Sequence, residues 1–396
     1  VTGVQTCALP ILQAMSTAQM NSMETNDFAV LLTNQIAAIS ATQIKGLATG
    51  QIAAITTAQV RGLTVVQLKT LSTDQIVSID ADAMGVFTQA QIQALTGPQL
   101  AQLGANQIDA LGSMQIQAFA AAQVPFLSTS TFAAFSADQI SYLSTATIKA
   151  LSTQQMAAID AADISSLTTK QIQSLTVTQL KGLTDDQFDH FSTLQIRAMS
   201  AAQIPLLSTA QIQRLSNDQL SALSTQQIVA LSIAQVKVLN GSDFSTFSTT
   251  QVAVMSAAQI KALTTDQINS ISDDRISALT TLQIANLGAT QLSAMGGSQI
   301  SAMTTLQIKT LSAAQIKSLS ESQISSIDAG DMGVMSAAQI AAMSTVQIAA
   351  ITGDQMSNLT TAQIKGWTAA QKKAYTSPLR SEEHTSELQS RLHLVC

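Results

Sequence analysis

The sequence holds few of the side chains from which catalytic and metal sites are built. Its 396 residues include two cysteines and three histidines, and 11% of the residues are charged. A metal site needs several ligands in a fixed constellation, and no phosphate-binding glycine loop, nucleophile elbow or pair of catalytic acids is present. We therefore expect no enzymatic activity, no catalytic or cofactor-binding residue, no metal site and no cofactor.

Aromatic and basic side chains are also scarce. Phe, Trp and Tyr together make up 3% of the chain, and 18 Lys and Arg stand against 24 Asp and Glu, for a net charge of −6. A nucleic-acid-binding protein is expected to show a basic footprint, which this acidic chain lacks. The sequence therefore predicts neither a nucleic-acid partner nor a membrane span.

What fills the sequence instead is an eight-residue unit, which we call the octad: Gln-Ile-x-Ala-Leu-Ser/Thr-x-x. Counting by eights from Gln19 to Gln371 gives 45 octads with no insertion or deletion. Numbered from the glutamine, position 2 is apolar in all but one octad (Lys372), and position 5 is apolar in every octad. Self-similarity at a fixed period indicates a solenoid or a repeat array.

The polar positions of the octad match the chemistry of a helix start. Position 6 carries Ser, Thr, Asp, Asn or Gly except at Glu24, Leu32, Ala48 and Ala120, and these are the favoured N-cap residues. The glutamine three residues later can complete a capping box, and the apolar residues at positions 5 and 2 form a hydrophobic staple. Glutamine occupies position 1 in 37 octads, and the other eight carry Asp27, Ala83, Thr131, Thr147, Asp163, Asp243, Arg275 and Asp331.

We interpret each octad as one helix of about five or six residues that ends in a sharp turn. A single long helix is excluded because eight residues at about 100° each overshoot two turns by about 80°. Short helices are marginal alone, so neighbouring octads must stack. The predicted fold is an all-α solenoid of capped helices. A β-solenoid is the alternative, which the apolar spacings of three and five and the abundant Ala and Gln disfavour.

Some octads depart from the pattern. Pro125 and Pro205 stand at position 3, where a helix wants an amide donor, so we expect a distortion or a single turn there. Pro98 falls in a first turn and is compatible. Larger apolar pairs recur, often seven octads apart, which indicates either an old duplication block or a superhelical turn of seven octads. They are Phe28/Leu31, Met84/Phe87, Phe132/Phe135, Phe188/Phe191, Phe244/Phe247 and Met332/Met335.

Three groups of polar residues are candidate sites. His190, beside Asp185, Asp186 and Asp189, lacks the further ligands of a metal site, so we expect a surface histidine. Asp80, Asp160 and Asp328 stand at position 6 and are expected to cap helices, since no EF-hand oxygen series surrounds them. Position 3 carries a broken row of cations without interleaved aromatics, and a cation late in a helix suits the helix dipole. These cations are Lys45, Arg61, Lys69, Lys149, Lys181, Arg197, Lys237, Lys261, Lys309, Lys317 and Lys365.

The two ends differ from the array. Residues 1–11 resemble the in-frame translation of a sequencing-library adapter, and residues 380–396 resemble the same oligonucleotide from its other strand followed by read-through. This resemblance implies that both ends are artefacts, that Cys7 and Cys396 are not natural, and that residues 12–379 form one solenoid domain from a longer gene.

The octad array resembles the octapeptide tracts of very large bacterial secreted or cell-surface proteins. This resemblance implies an extracellular or cell-surface location and a structural role. We expect a non-enzymatic spacer of an adhesin-like protein. The alternative is a solenoid that binds other proteins through exposed positions 3, 7 and 8. A spacer should carry mixed side chains at these positions, whereas a binding module should carry one coherent apolar or charged patch.

Overall fold

Each octad forms its own short helix, which begins after the polar residue of position 6. A computed structural model describes residues 9–375, and within that range the regular structure is helical, with no strand. The helices are three to seven residues long. The prediction of one short helix per octad in an all-α solenoid is confirmed, and the β-solenoid alternative is wrong.

The turn between successive helices needs no special backbone conformation. Leu71 at position 5 ends one helix with φ −61° and ψ 140°, and Ser72 at position 6 caps the next with φ −68° and ψ 164°. Two extended residues therefore separate one helix from the next. No residue of the described range has a positive φ, so the small residues of the array serve packing and not turn geometry.

The described chain divides into two compact units, the first ending at Leu206 and the second beginning at Leu207. In the first unit residues 9–14 are also helical. The helices of the first unit are Thr17–Asn21, Thr25–Ala29, Thr33–Ala38, Ala41–Lys45, Thr49–Ala53, Thr57–Val60, Val65–Thr70, Thr73–Ser78, Ala81–Met84, Gln89–Ala94, Gly97–Leu100, Ala105–Asp109, Ser113–Ala118, Ala121–Phe126, Thr129–Ala133, Ala137–Tyr142, Thr145–Ala150, Thr153–Ala157, Ala162–Ser166, Thr169–Ser174, Val177–Gly182, Asp185–Asp189, Thr193–Ala198 and Ile204–Leu206.

The second unit repeats the same arrangement. Its helices are Thr209–Gln213, Asn217–Ser221, Thr225–Ala230, Ile233–Val238, Gly241–Phe244, Thr249–Ala253, Ala257–Lys261, Thr265–Asn269, Asp273–Ala278, Thr281–Ala285, Ala289–Ala294, Gly297–Ser301, Thr305–Thr310, Ala313–Ser318, Glu321–Ser325, Ala329–Val334, Ala337–Ala341, Thr345–Ala349, Gly353–Asn358, Thr361–Lys365 and Ala369–Tyr375.

Within each unit the chain coils so that an octad lies against octads of the previous turn. The helix of the Gln67 octad, Val65–Thr70, packs on Ala41–Lys45, three octads earlier. The Gln67 side chain itself bonds to Ile36 and Ile39, four octads earlier. One turn therefore takes between three and four octads. The hypothesis of seven octads per turn is wrong, because within a unit seven octads correspond to about two turns.

The core of the coil is made by positions 1, 2 and 5. In the Gln267 octad, Gln267 is 0% exposed, Ile268 1% and Ile271 2%, and the same three positions are buried through most of the described chain. The predicted inward direction of the apolar residues is confirmed.

Three octads contain a 3-10 helix, and two of them carry a proline. Pro125 lies within Ala121–Phe126 and Pro205 within Ile204–Leu206, which confirms the expected distortion, since proline removes an amide donor. Pro98 lies in the first turn of Gly97–Leu100, as expected. The third 3-10 helix, Ala162–Ser166, has no proline and carries Asp163 at position 1.

Most of the predicted artefact ends, residues 1–8 and all of 380–396, lie outside the described residues, so their origin stays a prediction. The single domain over residues 12–379 also stays a prediction. The described chain does contain one octad that the sequence count missed. Leu12 is buried and, with Met15, accepts hydrogen bonds from Gln43 as positions 2 and 5 do elsewhere.

Candidate functional site

The position-1 glutamine is the residue that joins one turn of the coil to the next. The Gln67 Oε1 accepts a hydrogen bond from the Thr64 backbone N–H at 2.7 Å, which closes the predicted capping box. Its Nε2 donates to the carbonyls of Ile36 and Ile39 at 2.8 and 2.7 Å. One buried amide therefore holds the start of its own helix and the end of a helix on the previous turn.

The same set of bonds recurs in both units. In the second unit, Gln267 Oε1 accepts from the Thr264 N–H at 2.8 Å, and Nε2 donates to the Val236 and Leu239 carbonyls, each at 2.7 Å. Gln67 and Gln267 thus each donate to the carbonyls of positions 2 and 5 in the octad four before their own. We call the whole series of such bonds from position-1 glutamines the glutamine ladder, and the bonds of one glutamine a rung. A buried amide costs several kcal/mol when it lacks partners, so the ladder fixes the register of adjacent turns.

The ladder was missed by sequence reasoning, which assigned the glutamine to the capping box alone. A capping box accepts Glu as readily as Gln, yet no octad carries Glu at position 1. The absence of Glu at position 1 was the signal that the glutamine NH₂ group donates hydrogen bonds.

The glutamine half of the capping box is the more persistent half. Where position 6 has no hydroxyl, as at Leu32, Ala48 and Ala120, its backbone N–H still donates to the glutamine Oε1, at 2.7, 3.0 and 2.9 Å respectively. The four exceptions at position 6 therefore lack the side-chain cap bond. Leu32, Ala48 and Ala120 keep the bond from their backbone N–H to the glutamine Oε1.

The ladder is interrupted where position 1 is not glutamine. Thr147 replaces it with a single bond from a shorter side chain, in which its Oγ1 donates to the Phe119 carbonyl at 3.1 Å. At the other interruptions no side chain of the described residues donates to the position-5 carbonyl four octads earlier. The affected carbonyls are those of Ile55, Leu103, Phe135, Leu215, Phe247 and Met303, opposite Ala83, Thr131, Asp163, Asp243, Arg275 and Asp331.

Of the three predicted capping aspartates, Asp80 and Asp328 are the N-caps of their helices, whereas the N-cap of Ala162–Ser166 is Ala161 and not Asp160. Asp80, Asp160 and Asp328 each accept from the backbone N–H two residues later, at 2.9, 2.9 and 2.8 Å. Hydroxyl caps at position 6 instead accept from the N–H three residues later, as Ser232 does from Gln235. The aspartate caps therefore hold the first turn one residue earlier than the hydroxyl caps.

His190 lies at the surface, as expected, with 44% of its side chain exposed. Its Nδ1 is 2.8 Å from the Asp186 carbonyl oxygen and 3.9 Å from a carboxylate oxygen of the same residue. Among residues 9–375 no group of three or more His, Cys, Asp or Glu side chains is placed to hold a metal ion. The histidine thus closes the end of its own helix.

The cations of position 3 are all exposed, on the face of each helix opposite the core. Octads 24 residues apart are neighbours on successive turns, so Lys237 and Lys261 lie in one column with Lys309. Ala285 interrupts that column, and the acidic Asp266 is exposed on the helix after Lys261. The column is therefore not a continuous basic surface.

The exposed leucines of position 8 are the most exposed leucines of the described chain. Leu194 is 70% exposed, Leu282 65% and Leu306 66%. Leu282 and Leu306 lie on helices that pack against each other, Thr281–Ala285 and Thr305–Thr310. Elsewhere positions 3, 7 and 8 carry small, polar and charged residues in mixed order, so these positions present a mixed surface with small apolar pairs.

These features define a class of protein: an α-helical repeat protein whose eight-residue units stack through buried glutamines. The sequence model of the ALTTAQ repeat matches three segments, residues 20–57, 236–273 and 324–361. Each match begins at position 2 of an octad. The chain is therefore similar to ALTTAQ repeats over part of its length. No curated protein matches the chain. No helix within residues 9–375 is long and apolar enough to cross a membrane.

Proposed function

We propose that this chain is a non-enzymatic structural spacer belonging to a large bacterial protein that is secreted or held at the cell surface. The observation that carries this proposal is the glutamine ladder, because its bonds join each turn to the next within a unit. A spacer needs a fixed rise per turn. Packed helices lie about 8–10 Å apart, so each turn adds about that length.

The mixed surface supports the same role. Charged residues make up 11% of the sequence, and the exposed positions 3, 7 and 8 differ in character from one octad to the next. A spacer places no chemical demand on these positions beyond solubility, whereas a catalytic surface would need convergent polar groups in a pocket. The secreted or surface location is part of the proposal. Antibody labelling of intact cells that carry the full gene checks it.

The spacer role is tested by the distance between two points of the second unit. Spin labels replace Lys261 and Lys317, two exposed position-3 residues seven octads apart, in a chain whose Cys7 and Cys396 are changed to Ser. A second chain carries an extra copy of residues 256–311 inserted after Leu311. Two turns span about 16–20 Å, so the insertion should lengthen a narrow distance distribution by about that amount. A broad distribution, or a distance that does not grow, would contradict the spacer.

A second candidate function is protein binding by the exposed repeat positions. The observation that favours it is the Leu282 and Leu306 pair, which are 65% and 66% exposed on adjacent helices. A photo-crosslinking residue at position 306 should then form one defined protein adduct on cells, and Leu282→Ser should abolish it. If the chain is only a spacer, the crosslinking residue at position 306 should give the same background of protein adducts as one placed at Leu194, the matched exposed leucine in the first unit.

A further inference from the structure

The glutamine ladder is interrupted at the Asp163 octad, where position 1 carries a carboxyl group and not an amide. The carbonyl opposite Asp163 is that of Phe135, 28 residues earlier, in the same register as the Gln67 to Ile39 bond. Phe135 is 3% exposed. Its N–H donates to the Phe132 carbonyl, and no donor within residues 9–375 reaches its own carbonyl.

A short side chain at position 1 can still reach that carbonyl. Two octads before Asp163, the Thr147 hydroxyl donates to the Phe119 carbonyl at 3.1 Å. The carboxyl oxygens of Asp163 stand one bond further from the backbone than the Thr147 hydroxyl does. Reach therefore does not prevent a bond from Asp163 to the Phe135 carbonyl. What decides it is the proton, because a carboxylate only accepts whereas a carboxylic acid has one O–H donor.

The surroundings shift the protonation equilibrium of Asp163 toward the neutral acid. Burial raises the pKa of Asp163, and the nearby negative charge of Asp160 raises it further. The Asp160 carboxylate is itself held in place, since it accepts from the Ala162 N–H at 2.9 Å. The helix Ala137–Tyr142, which packs against Ala162–Ser166, carries Asp138 and no cation.

The other titratable and charged groups near this octad are of both signs. The opposite octad, Thr129–Ala133, has none. Along the chain and on the octads three and four further on, the acidic residues are Asp185, Asp186 and Asp189, and the basic residues are Lys170, His190 and Arg197.

The local backbone differs at this rung as well. The Asp163 octad contains a 3-10 helix, Ala162–Ser166, without the proline that explains the other two. Its Asp163 N–H bonds to the Asp160 carbonyl at 3.1 Å and its Ile164 N–H to the Ala161 carbonyl at 3.2 Å. The missing rung therefore coincides with a loosened helix.

We propose that Asp163 is a proton-operated rung: in its neutral form its carboxyl O–H donates to the Phe135 carbonyl and joins two turns of the first unit, and in its ionised form the rung is open. The raised pKa fixes the direction of the effect. The stability that Asp163 contributes is fully present below its ordinary value of 3.8 and is lost as the pH rises through the raised value of the folded chain.

The proposal is tested by amide hydrogen exchange on the full chain, with rates corrected for intrinsic pH dependence. The readout is protection of peptides that cover residues 132–136 and 160–167. Asp163→Asn is the matched variant, because its amide donates at every pH and has the same length. Asp163→Ala removes the donor. One hydrogen bond corresponds to about a 2- to 10-fold change in the opening equilibrium.

The expected result is that wild-type protection in these peptides rises by that factor between pH 7 and pH 3.5. The Asn variant should show high protection at both pH values, and the Ala variant low protection at both. A wild-type pH response no larger than that of the Ala variant would overturn the proposal. So would an Asn variant that responds to pH as the wild type does. Asp160→Asn provides a second check. It removes the negative charge near Asp163, so the change in protection should occur at a lower pH than in the wild type.

Discussion

Gln67 and Ile39 lie 28 residues apart and are joined by a hydrogen bond of 2.7 Å from the glutamine Nε2 to the isoleucine carbonyl. The bond spans 28 residues, or three and a half octads, along the chain and one turn of the coil. Because the donor and the acceptor are both buried, water cannot replace either partner at low cost. The separation of 28 residues therefore sets the register of the turns, and the apolar positions 2 and 5 fill the space between them.

The first prediction separates the ladder from the capping box. Gln267→Glu keeps an acceptor for the Thr264 N–H but removes the Nε2 donor from the Val236 and Leu239 carbonyls. Gln267 is 0% exposed, so the carboxylate would be buried against two carbonyl oxygens. We expect a loss of about 2–4 kcal/mol, measured as lost hydrogen-exchange protection in residues 236–240 and 264–271, because repeat arrays unfold locally.

Gln19→Glu is the matched control for that change. Gln19 is exposed and makes the same cap bond, in which its Oε1 accepts from the Ser16 N–H at 2.8 Å, but it stands too early in the chain for a carbonyl 28 residues before it. The control should be nearly neutral. If both Glu variants behave alike, the cap accounts for the glutamine and the ladder contributes nothing.

The second prediction concerns the hydroxyl cap at position 6. The Ser232 Oγ accepts from the Gln235 N–H at 3.2 Å, and Ser232→Ala should cost about 1 kcal/mol. The reverse change is available at Ala48, where only the glutamine half of the box is present, and Ala48→Ser should add a similar amount. Chemical denaturation of both variants measures the two effects. If Ser232→Ala destabilises the chain but Ala48→Ser does not stabilise it, the contribution of the hydroxyl cap depends on the neighbouring residues.

The sequence was sufficient to predict the fold because the residues of each octad determine the local structure of that octad. A polar cap at position 6, a glutamine at position 1 and apolar residues at positions 2 and 5 are local signals, and the helices they predict are present. Pro125 and Pro205 were also interpretable locally, since a missing amide acts on its own helix.

The coiling of the array was not predictable in the same way. The number of octads per turn depends on contacts between residues 24–32 positions apart, and no single octad contains that information. The spacing of the large apolar pairs, such as Phe132 and Phe188, left a duplication block and a superhelical turn as alternatives, and seven octads match two turns and not one. The ladder itself left one trace, the absence of Glu at position 1. The interrupted rung at Asp163 could be located only after the Phe135 carbonyl was placed opposite it.

The third prediction concerns close approach of turns at position 4. A methyl group added at Gly62 would lie 2.5 Å from the Thr33 carbonyl oxygen, which is backbone and cannot move away easily. Gly62→Ala should therefore destabilise the first unit by about 1–3 kcal/mol through overpacking. The control is Gly366→Ala, also at position 4, where the nearest atom would be 3.4 Å away. That change should be neutral or stabilise by up to about 1 kcal/mol. Equal effects of the two substitutions on thermal unfolding would contradict the predicted close approach at Gly62.

The last prediction restores a missing rung in the second unit. Asp331 occupies position 1, is 9% exposed, and stands opposite the Met303 carbonyl, to which no donor of the described residues reaches. Asp331→Gln would place an amide where the glutamines of the neighbouring octads have theirs, as Gln323 does in donating to Met295 at 2.7 Å.

Two new bonds to the Ile300 and Met303 carbonyls, together with removal of a buried carboxyl group, should stabilise the turn by about 1–3 kcal/mol at pH 7. Hydrogen exchange of residues 300–304 and 328–335 measures the gain. Asp331→Leu is the matched variant that removes the carboxyl group without supplying a donor. If the Leu variant gains as much as the Gln variant, loss of the buried carboxylate explains the effect. A larger gain for Gln assigns the difference to the restored bonds, and a loss for Gln would mean that the turns at Asp331 have already settled at a spacing that a full-length glutamine cannot fit.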